Sequence, residues 1–307
     1  METMKIVRSP FFYVGDKFKI IKEIKQYFPK RINRFIEPFT GGGTVFLNIK
    51  ASQYLLNDID TNVYLLQKYL LRRAKDTEKF FADAQEIITE YELSRSFLED
   101  IVPDRLKETW RKTYYAKFNK SGYYRLKTHY NESSPKDLLK LYILLIYGFN
   151  RMLRFNSKGQ FNLPVGNVDF NRNVCLALNG YFEYVATRCI KWHNLDFFEF
   201  VNSIKYEEDD FIYLDPPYLI TFSEYNKLWD SQKELALINL LDDLDKRDIK
   251  WAISNVVTYK DRRNAIFNKW MQTYNVYAIN SNYISYHNNS KKLIKEVLVT
   301  NYEEKKT

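Results

Sequence analysis

The stretch Phe211-Ile-Tyr-Leu-Asp215-Pro-Pro-Tyr218 carries the first signal of the fold. Four strand-favouring residues stop at an acid, two prolines and an aromatic ring, the pattern of a buried strand that ends in a rigid polar tip. In open α/β sheets the ligand crevice lies outside the carboxyl ends of the strands, where this tip falls. Proline holds φ near roughly −65° and has no N–H, so Pro216 and Pro217 bring carbonyl acceptors and no donors. With Asp215 beside them, the tip suits a substrate that brings N–H groups, such as a nucleobase amino group, and Tyr218 offers a flat face for stacking. A strand closed by a proline turn has the same short signature, so other segments must decide between the two.

A second signal precedes it. Arg34-Phe-Ile-Glu37-Pro-Phe-Thr-Gly41-Gly-Gly43-Thr-Val-Phe-Leu-Asn-Ile-Lys50 reads as a short strand, a glycine-rich turn and a helix, the first βα junction of a nucleotide-type site. A pyrophosphate fingerprint needs one more glycine where Phe46 stands, so a dinucleotide is disfavoured. The next strand, Tyr54-Leu-Leu-Asn-Asp58, ends in an acid 17 residues after Gly41, where a carboxylate can take ribose hydroxyls. A glycine turn with a delayed acid fits a nucleoside ligand without a pyrophosphate, such as S-adenosylmethionine.

Around these lie helices and further strands. Phe18–Phe28 has helical apolar spacing and stops at Pro29, with Gly15 in the loop before it and Lys17 at its start. Helical spacing continues from Thr61 to about Leu98. Between Arg105 and Lys127, eight basic residues face one acid, Glu108, with Trp110 and several tyrosines interleaved. Such a mixture suits phosphates and stacked bases, and equally a solvated basic helix with a buried aromatic stripe. A buried helix over 136–148 follows. Asn156-Ser-Lys158-Gly159 between two Phe-containing arms predicts a hairpin, and its Arg, Asn, Lys and Gln side chains are of the kind that read base edges. Then come a helix over 173–187, a strand ending at Asp196, a helix over 231–246, and strands at 250–255, 276–279 and 295–300. Polar loops are expected over 219–230 and 285–292, and a frayed tail over 303–307.

Composition narrows the partners. The chain has 307 residues, a net charge of +9 and 17% aromatic residues, a balance that favours an anionic partner. No apolar leader is visible, and the longest apolar run is too short to span a bilayer and contains Lys140, so a cytoplasmic protein without a membrane partner is expected. Cys175 and Cys189 are expected to be reduced thiols. Three scattered histidines make a metal site improbable, and none is expected.

Taken together, Glu37-Pro-Phe-Thr-Gly-Gly-Gly-Thr-Val-Phe-Leu-Asn48, Asn57-Asp58-Ile-Asp60, Arg154–Gly166 and Asp215-Pro-Pro-Tyr218 resemble the Dam-type DNA adenine methyltransferases, a group that includes the EcoRV-type modification methylases. The resemblance implies an α/β, Rossmann-like fold that uses S-adenosylmethionine, with a seven-stranded mixed sheet whose last strand is antiparallel. It also implies an inserted, mostly helical target-recognition domain carrying a β-hairpin. The expected division is residues 1–70 and 171–307 for the catalytic domain and 71–170 for target recognition.

By that resemblance Asp215, Pro216, Pro217 and Tyr218 are catalytic. Tyr13, Lys17, Glu37, Pro38, Thr40, Gly41, Gly43, Asp58, Asp196, Phe197 and Asp215 hold the cofactor, with Tyr13 and Lys17 at its methionine part, Asp58 at its ribose and Asp196-Phe197 at its adenine. Tyr13 stands for the family's Trp, and Asp16 for its second Gly. Lys120, Asn150, Met152, Arg154, Asn156, Lys158, Pro164 and Asn167 are expected to face DNA. Asn167 replaces an arginine of the family's namesake, which leaves the target sequence open. The expected protein is a monomer that methylates adenine in duplex DNA, with a separately acting restriction endonuclease as a partner the family allows. The alternatives are an RNA base methyltransferase and a DNA-binding protein on an inactive methyltransferase scaffold.

Overall fold

The computed structural model describes residues 6–13, 15–99, 101–221, 229–280 and 294–303. In chain order these form α1 (Ile21–Ile24), β1 (Arg34–Glu37), β2 (Gln53–Asn57), α2 (Thr61–Arg73), α3 (Thr77–Glu90), α4 (Asp104–Thr109), α5 (Tyr114–Glu132) and α6 (Leu138–Tyr147). There follow α7 (Arg172–Val185), β3 (Cys189–His193), α8 (Phe197–Ser203), β4 (Phe211–Leu214), α9 (Ser231–Lys246), β5 (Lys250–Tyr259), β6 (Arg262–Arg263), α10 (Ala265–Trp270), β7 (Asn275–Ile279) and β8 (Ile294–Thr300). The chain divides into two compact units, residues 1–16, 41–43 and 60–187 in the first, and residues 17–40, 44–59 and 188–307 in the second.

The second unit is built on the sheet, whose strand order is β3-β2-β1-β4-β5-β8-β7, with the two-residue β6 on β5. Strands β1 to β5 pair in parallel, and β8 runs antiparallel to both β5 and β7. This is a mixed α/β sheet of mostly parallel strands, with β8 reversed, as the sequence led us to expect. Side chains alternate across it with period two. Ile212 and Leu214 of β4 join Trp251 and Ile253 of β5 in a core closed by Leu237, Leu241 and Leu244 of α9 and Phe200 of α8. Phe211 and Tyr213 point the other way, against Phe28. At the amino ends of the strands, Arg34 binds Asp210 through two N–H groups, at 2.8 and 2.5 Å, a fork geometry that locks β1 beside β4.

The first unit is helical. All of α6 from Leu139 to Tyr147 except Lys140 is buried, and α2, α3 and α5 pack against it. Asp137 caps it, accepting from the Leu139 and Lys140 amides. The buried Tyr142 hydroxyl donates to the Pro10 carbonyl at 2.9 Å. Among the described residues no helix is long and apolar enough to cross a membrane.

Several expected elements came out differently. The helix over 18–28 shrinks to α1 and a 3-10 turn over Lys25–Tyr27, which stops there because Phe28, ahead of Pro29, is extended. After the glycine turn only a 3-10 turn forms, Phe46–Asn48. There the Asn48 side chain takes the Thr44 carbonyl that an α-helix would give to the Asn48 N–H, and that N–H goes to Val45 instead. The helical stretch over 61–98 splits at Asp76, which caps α3. The third strand stops at His193, and Asp196 caps the unexpected α8 by accepting from the Phe198 amide. The hairpin is a loop with one bridge, Phe155 to Phe161, in place of an extended ladder. Its arms are held from outside, since Asn131 exchanges hydrogen bonds with both the N–H and the carbonyl of Phe161. Residues 222–228 of one expected polar loop, all of the loop over 285–292, and the tail from 304 lie outside the described residues.

Glu234 of α9 is fully buried and accepts from Trp229 Nε1 at 2.7 Å, Asn264 Nδ2 at 2.6 Å and Asn255 Nδ2 at 3.2 Å. Glu234→Ala strands three buried donors at about 1–3 kcal/mol each. The variant is expected to lose at least about 3 kcal/mol in urea unfolding, and a loss below about 1 kcal/mol would show that the donors find other acceptors.

Candidate active site

The chain runs outward from β1 to β2 and β3, then returns to place β4 on the other side of β1, so the order reverses between β1 and β4. Crevices that hold ligands open at such reversals, beyond the carboxyl ends of the strands. Glu37 ends β1 and Asp215 follows β4 directly. Asp215 thus falls where the sequence placed it, just beyond the carboxyl end of its strand.

A buried lysine organises the tip. Lys17 is only 2% exposed, and its Nζ lies 2.6 Å from Asp215 Oδ2, 2.9 Å from the Tyr218 hydroxyl and 3.8 Å from Glu296 Oε1. The Tyr218 hydroxyl in turn lies 2.8 Å from Asp215 Oδ1. Both carboxylate oxygens of Asp215 thus have partners, and Pro216 is buried beside them. The expected role of Lys17 at the cofactor's methionine is joined by this contact with Asp215, which its place in the sequence did not suggest.

Glu37 completes the cluster. Its carboxyl is held well above the ordinary glutamate range, first by burial, then by the negative charge of Asp215; the Phe46 amide opposes this, Asp58 adds to it, and Lys17 subtracts. Glu37 Oε2 is buried without a hydrogen-bond partner. Asp215 and Glu296 around one ammonium leave the cluster short of positive charge, which suits a ligand that brings it.

One amide ties the strand ends together. Asn57, at the end of β2 and fully buried, donates from Nδ2 to the Pro38 and Leu195 carbonyls, both at 3.0 Å, and accepts at Oδ1 from the Leu195 amide at 2.9 Å. Its carbonyl accepts from the Thr40 amide at 3.0 Å. The loops after β1, β2 and β3 are therefore pinned at one point, with Asp58 next in line. Phe39, Phe197 and Trp229 form a triangle of rings with centroids 5.2–5.7 Å apart, an apolar wall on the same unit. Asn57 and Trp229 were not expected as site residues. Asn57 stands in the Asn57–Asp60 segment of the resemblance, and its signal as a tie is a polar residue at the close of an apolar strand.

Residues 13–285 match the D12 class N6 adenine-specific DNA methyltransferase family. The chain belongs to this family. It is 32% identical to the modification methylase StsI of Streptococcus sanguinis over 99% of this chain and 44% of the relative, and 30% identical to the type II methyltransferase M.FokI of Planomicrobium okeanokoites over 98% and 44%. Against the DNA adenine methylase of Escherichia coli K12 the identity is 26%, over 96% of this chain and 95% of that protein. The chain spans less than half the length of the first two.

Other residues expected at the site from the sequence lie in the helical unit. Tyr13 packs on the glycine turn: a Cβ on Gly42 would lie 2.8 Å from that of Tyr13, and Gly41 and Gly43 have φ of +51° and +81°. Gln67 Nε2 donates to the Gly41 carbonyl at 3.0 Å, and Ser9 donates to that of Gly42. In the hairpin loop, Arg154 donates to the Asn162 side chain and carbonyl, each at 2.9 Å. Asn156 Oδ1 accepts from the Lys158 and Gln160 amides, so Asn156 shapes the turn. Asn167 likewise serves the backbone, donating to the Lys112 carbonyl and accepting from the Ala116 amide. Lys120, Asn150 and Lys158 are exposed, while Met152 and Pro164 are half-buried.

The raised Glu37 value has a consequence for stability. The folded protein keeps a proton that the unfolded chain releases near about pH 4.3, so this group's contribution is full below that pH and is lost as pH rises through the folded value. Glu37→Gln is expected to unfold at higher urea than the parent at pH 8, with the gap closing toward pH 5. Parallel stability curves for the two proteins across that range would contradict the assignment.

Proposed function

We propose that this protein transfers a methyl group from S-adenosylmethionine to the exocyclic amino group of adenine in duplex DNA. The observation that carries the reading is the acceptor-rich tip Asp215-Pro216 at the sheet's order reversal, on a chain of an adenine-specific methyltransferase family. When bound, the cofactor supplies an electrophilic methyl group on a cationic sulfur. The residues proposed to hold it are Lys17, Glu37, Pro38, Thr40, Asp58, Asp196, Phe197 and Asp215, together with Tyr13, Gly41 and Gly43.

The chain's own part is positioning. A target adenine taken out of the duplex, at a cost of a few kcal/mol, stacks on the Tyr218 ring. Asp215 and the Pro216 carbonyl accept the two amino hydrogens, which turns the nitrogen lone pair away from the ring and toward the methyl donor. Orientation of this kind is worth up to roughly 7–11 kcal/mol, and the fixed carboxylates stabilise the positive charge that develops on nitrogen. Asp215 accepts the proton after the nitrogen has become cationic, so it need not be a strong base.

Target reading is proposed for the 71–170 segment. Arg154, held by Asn162 on one side of its guanidinium, has N–H groups left for a base edge. Lys120, Asn150, Met152, Lys158 and Pro164 are proposed as further DNA contacts, with Asn156 and Asn167 supporting the loop that presents them.

Labelled cofactor incubated with the protein and either duplex DNA or RNA tests the reading; label in adenine of DNA is expected, and label only in RNA would overturn it. Asp215→Ala is expected to lose transfer by at least about 100-fold and to retain cofactor binding. Arg154→Ala is expected to relax target choice by about 1–3 kcal/mol at one base pair, measured by methylation across a library of sites. Uniform weakening at every site would make Arg154 a phosphate contact.

A further inference from the structure

Strand β8, Ile294-Lys-Glu-Val-Leu-Val-Thr300, carries one acidic side chain in an otherwise apolar inner run. Glu296 is 2% exposed, opposite Val256 of β5 on one side and Ile279 of β7 on the other. Burying a carboxylate in a sheet is costly unless charge and hydrogen bonds compensate it. Its Oε1 lies 3.3 Å from the Tyr218 hydroxyl and 3.8 Å from Lys17 Nζ. The glutamate therefore reaches the same two groups that hold Asp215.

The hydroxyl of Tyr218 has one proton to give. Lys17 donates to its oxygen at 2.9 Å, and the proton can go to Asp215 Oδ1 at 2.8 Å or to Glu296 Oε1 at 3.3 Å. In this structure the nearer acceptor is Asp215. Yet Asp215 is the acceptor an incoming amino group needs, and both of its oxygens already have partners. Loss of the Asp215 acceptor with none in exchange would oppose the step in which the base takes its place after DNA has bound, as would the loss of one of the two carboxylates at Lys17.

We propose that Glu296 is a positioning residue: when the substrate amino group takes Asp215, the Tyr218 hydroxyl redirects its proton to Glu296, which also keeps Lys17 paired. The exchange is one of hydrogen bonds only, and the proton stays on the Tyr218 oxygen throughout. Tyr218 thereby keeps its ring fixed for stacking while releasing Asp215. This inference rests on the methyltransferase reading above.

The test is a set of steady-state methylation assays on duplex DNA with labelled cofactor. Cofactor binding by calorimetry and thermal unfolding are measured alongside, for the parent, Glu296→Gln, Glu296→Met, Tyr218→Phe and the doubles. Glu296→Met is expected to lower kcat by about 10–100-fold, the effect of one unmatched buried hydroxyl, with KM for DNA and cofactor Kd within about threefold of the parent. Glu296→Gln keeps an acceptor oxygen and is expected to recover most of that loss. Because Glu296 acts through the Tyr218 hydroxyl, either substitution combined with Tyr218→Phe is expected to cost little more than the worse single change. A Met variant with kcat within about twofold of the parent overturns the proposal, as does a loss carried by KM, Kd and melting temperature together. If the Met variant does not fold, the Gln variant and its double decide, and independent multiplying losses overturn the proposal. A parent protein that methylates RNA only, or nothing, refutes the reading beneath it before any variant is compared.

Discussion

A buried ammonium needs a counter-charge, and Lys17 finds its own in Asp215 at 2.6 Å. Much of the sheet unit's arrangement follows from that pair. Breaking a buried pair by removing one partner costs about 3–5 kcal/mol, because the other charge is left without compensation. The segment ahead of β1 is thereby joined to the tip of β4, nearly two hundred residues later in the chain, and Tyr218 is held by the same ammonium. The cluster is short of positive charge, with Asp215 and Glu296 around Lys17 and the proton of Glu37 retained by burial. A cationic ligand relieves that imbalance, so the unit's electrostatics and its proposed chemistry point the same way.

The second constraint is geometric. Parallel strands put the carboxyl ends of β1, β2 and β3 on one edge, but parallel pairing alone leaves the following loops free to splay. Asn57 prevents this by satisfying the Pro38 and Leu195 carbonyls and the Leu195 amide with a single side chain. The site asks for two donated bonds and one accepted bond in one plane, which a side-chain amide supplies and no apolar or acidic residue would. Asn194 extends the tie by donating to the Asp58 carbonyl at 2.8 Å.

How much of this was legible depended on range. Strand tips and caps are local events, so Phe211–Tyr218, the glycine turn and α9 over Ser231–Lys246 could be read from neighbours in the chain. The 3-10 turn at Phe46–Asn48 was missed because a side chain competes with the helix bond, a contest that periodicity does not register. The α8 helix was missed for a related reason: Asp196 looked like a strand's acidic end and is a helix cap. Lys17 was visible as a site residue, but its partners were not, since they sit on β4 and β8. Glu296 was invisible as anything but a strand residue, because only the antiparallel register of β8 against β5 turns it inward. Asn156 and Asn167 had the chemistry of base readers, and the backbone amides around them had first claim on it.

The strand order also has a kinetic consequence. Strand β8 lies between β5 and β7, so β7, although made earlier, has no neighbour in the sheet until β8 arrives. During synthesis on a ribosome, β1 to β5 can pair as they emerge, while the β7 backbone waits. Insertion of β8 then joins β7 to β5 and delivers Glu296 in the same event. Such late, non-local pairing is slow to form. The half-built sheet carries an open β5 edge, the kind of surface on which nascent chains associate with one another. Strand β8 is thus both the cover of that edge and the carrier of the buried glutamate.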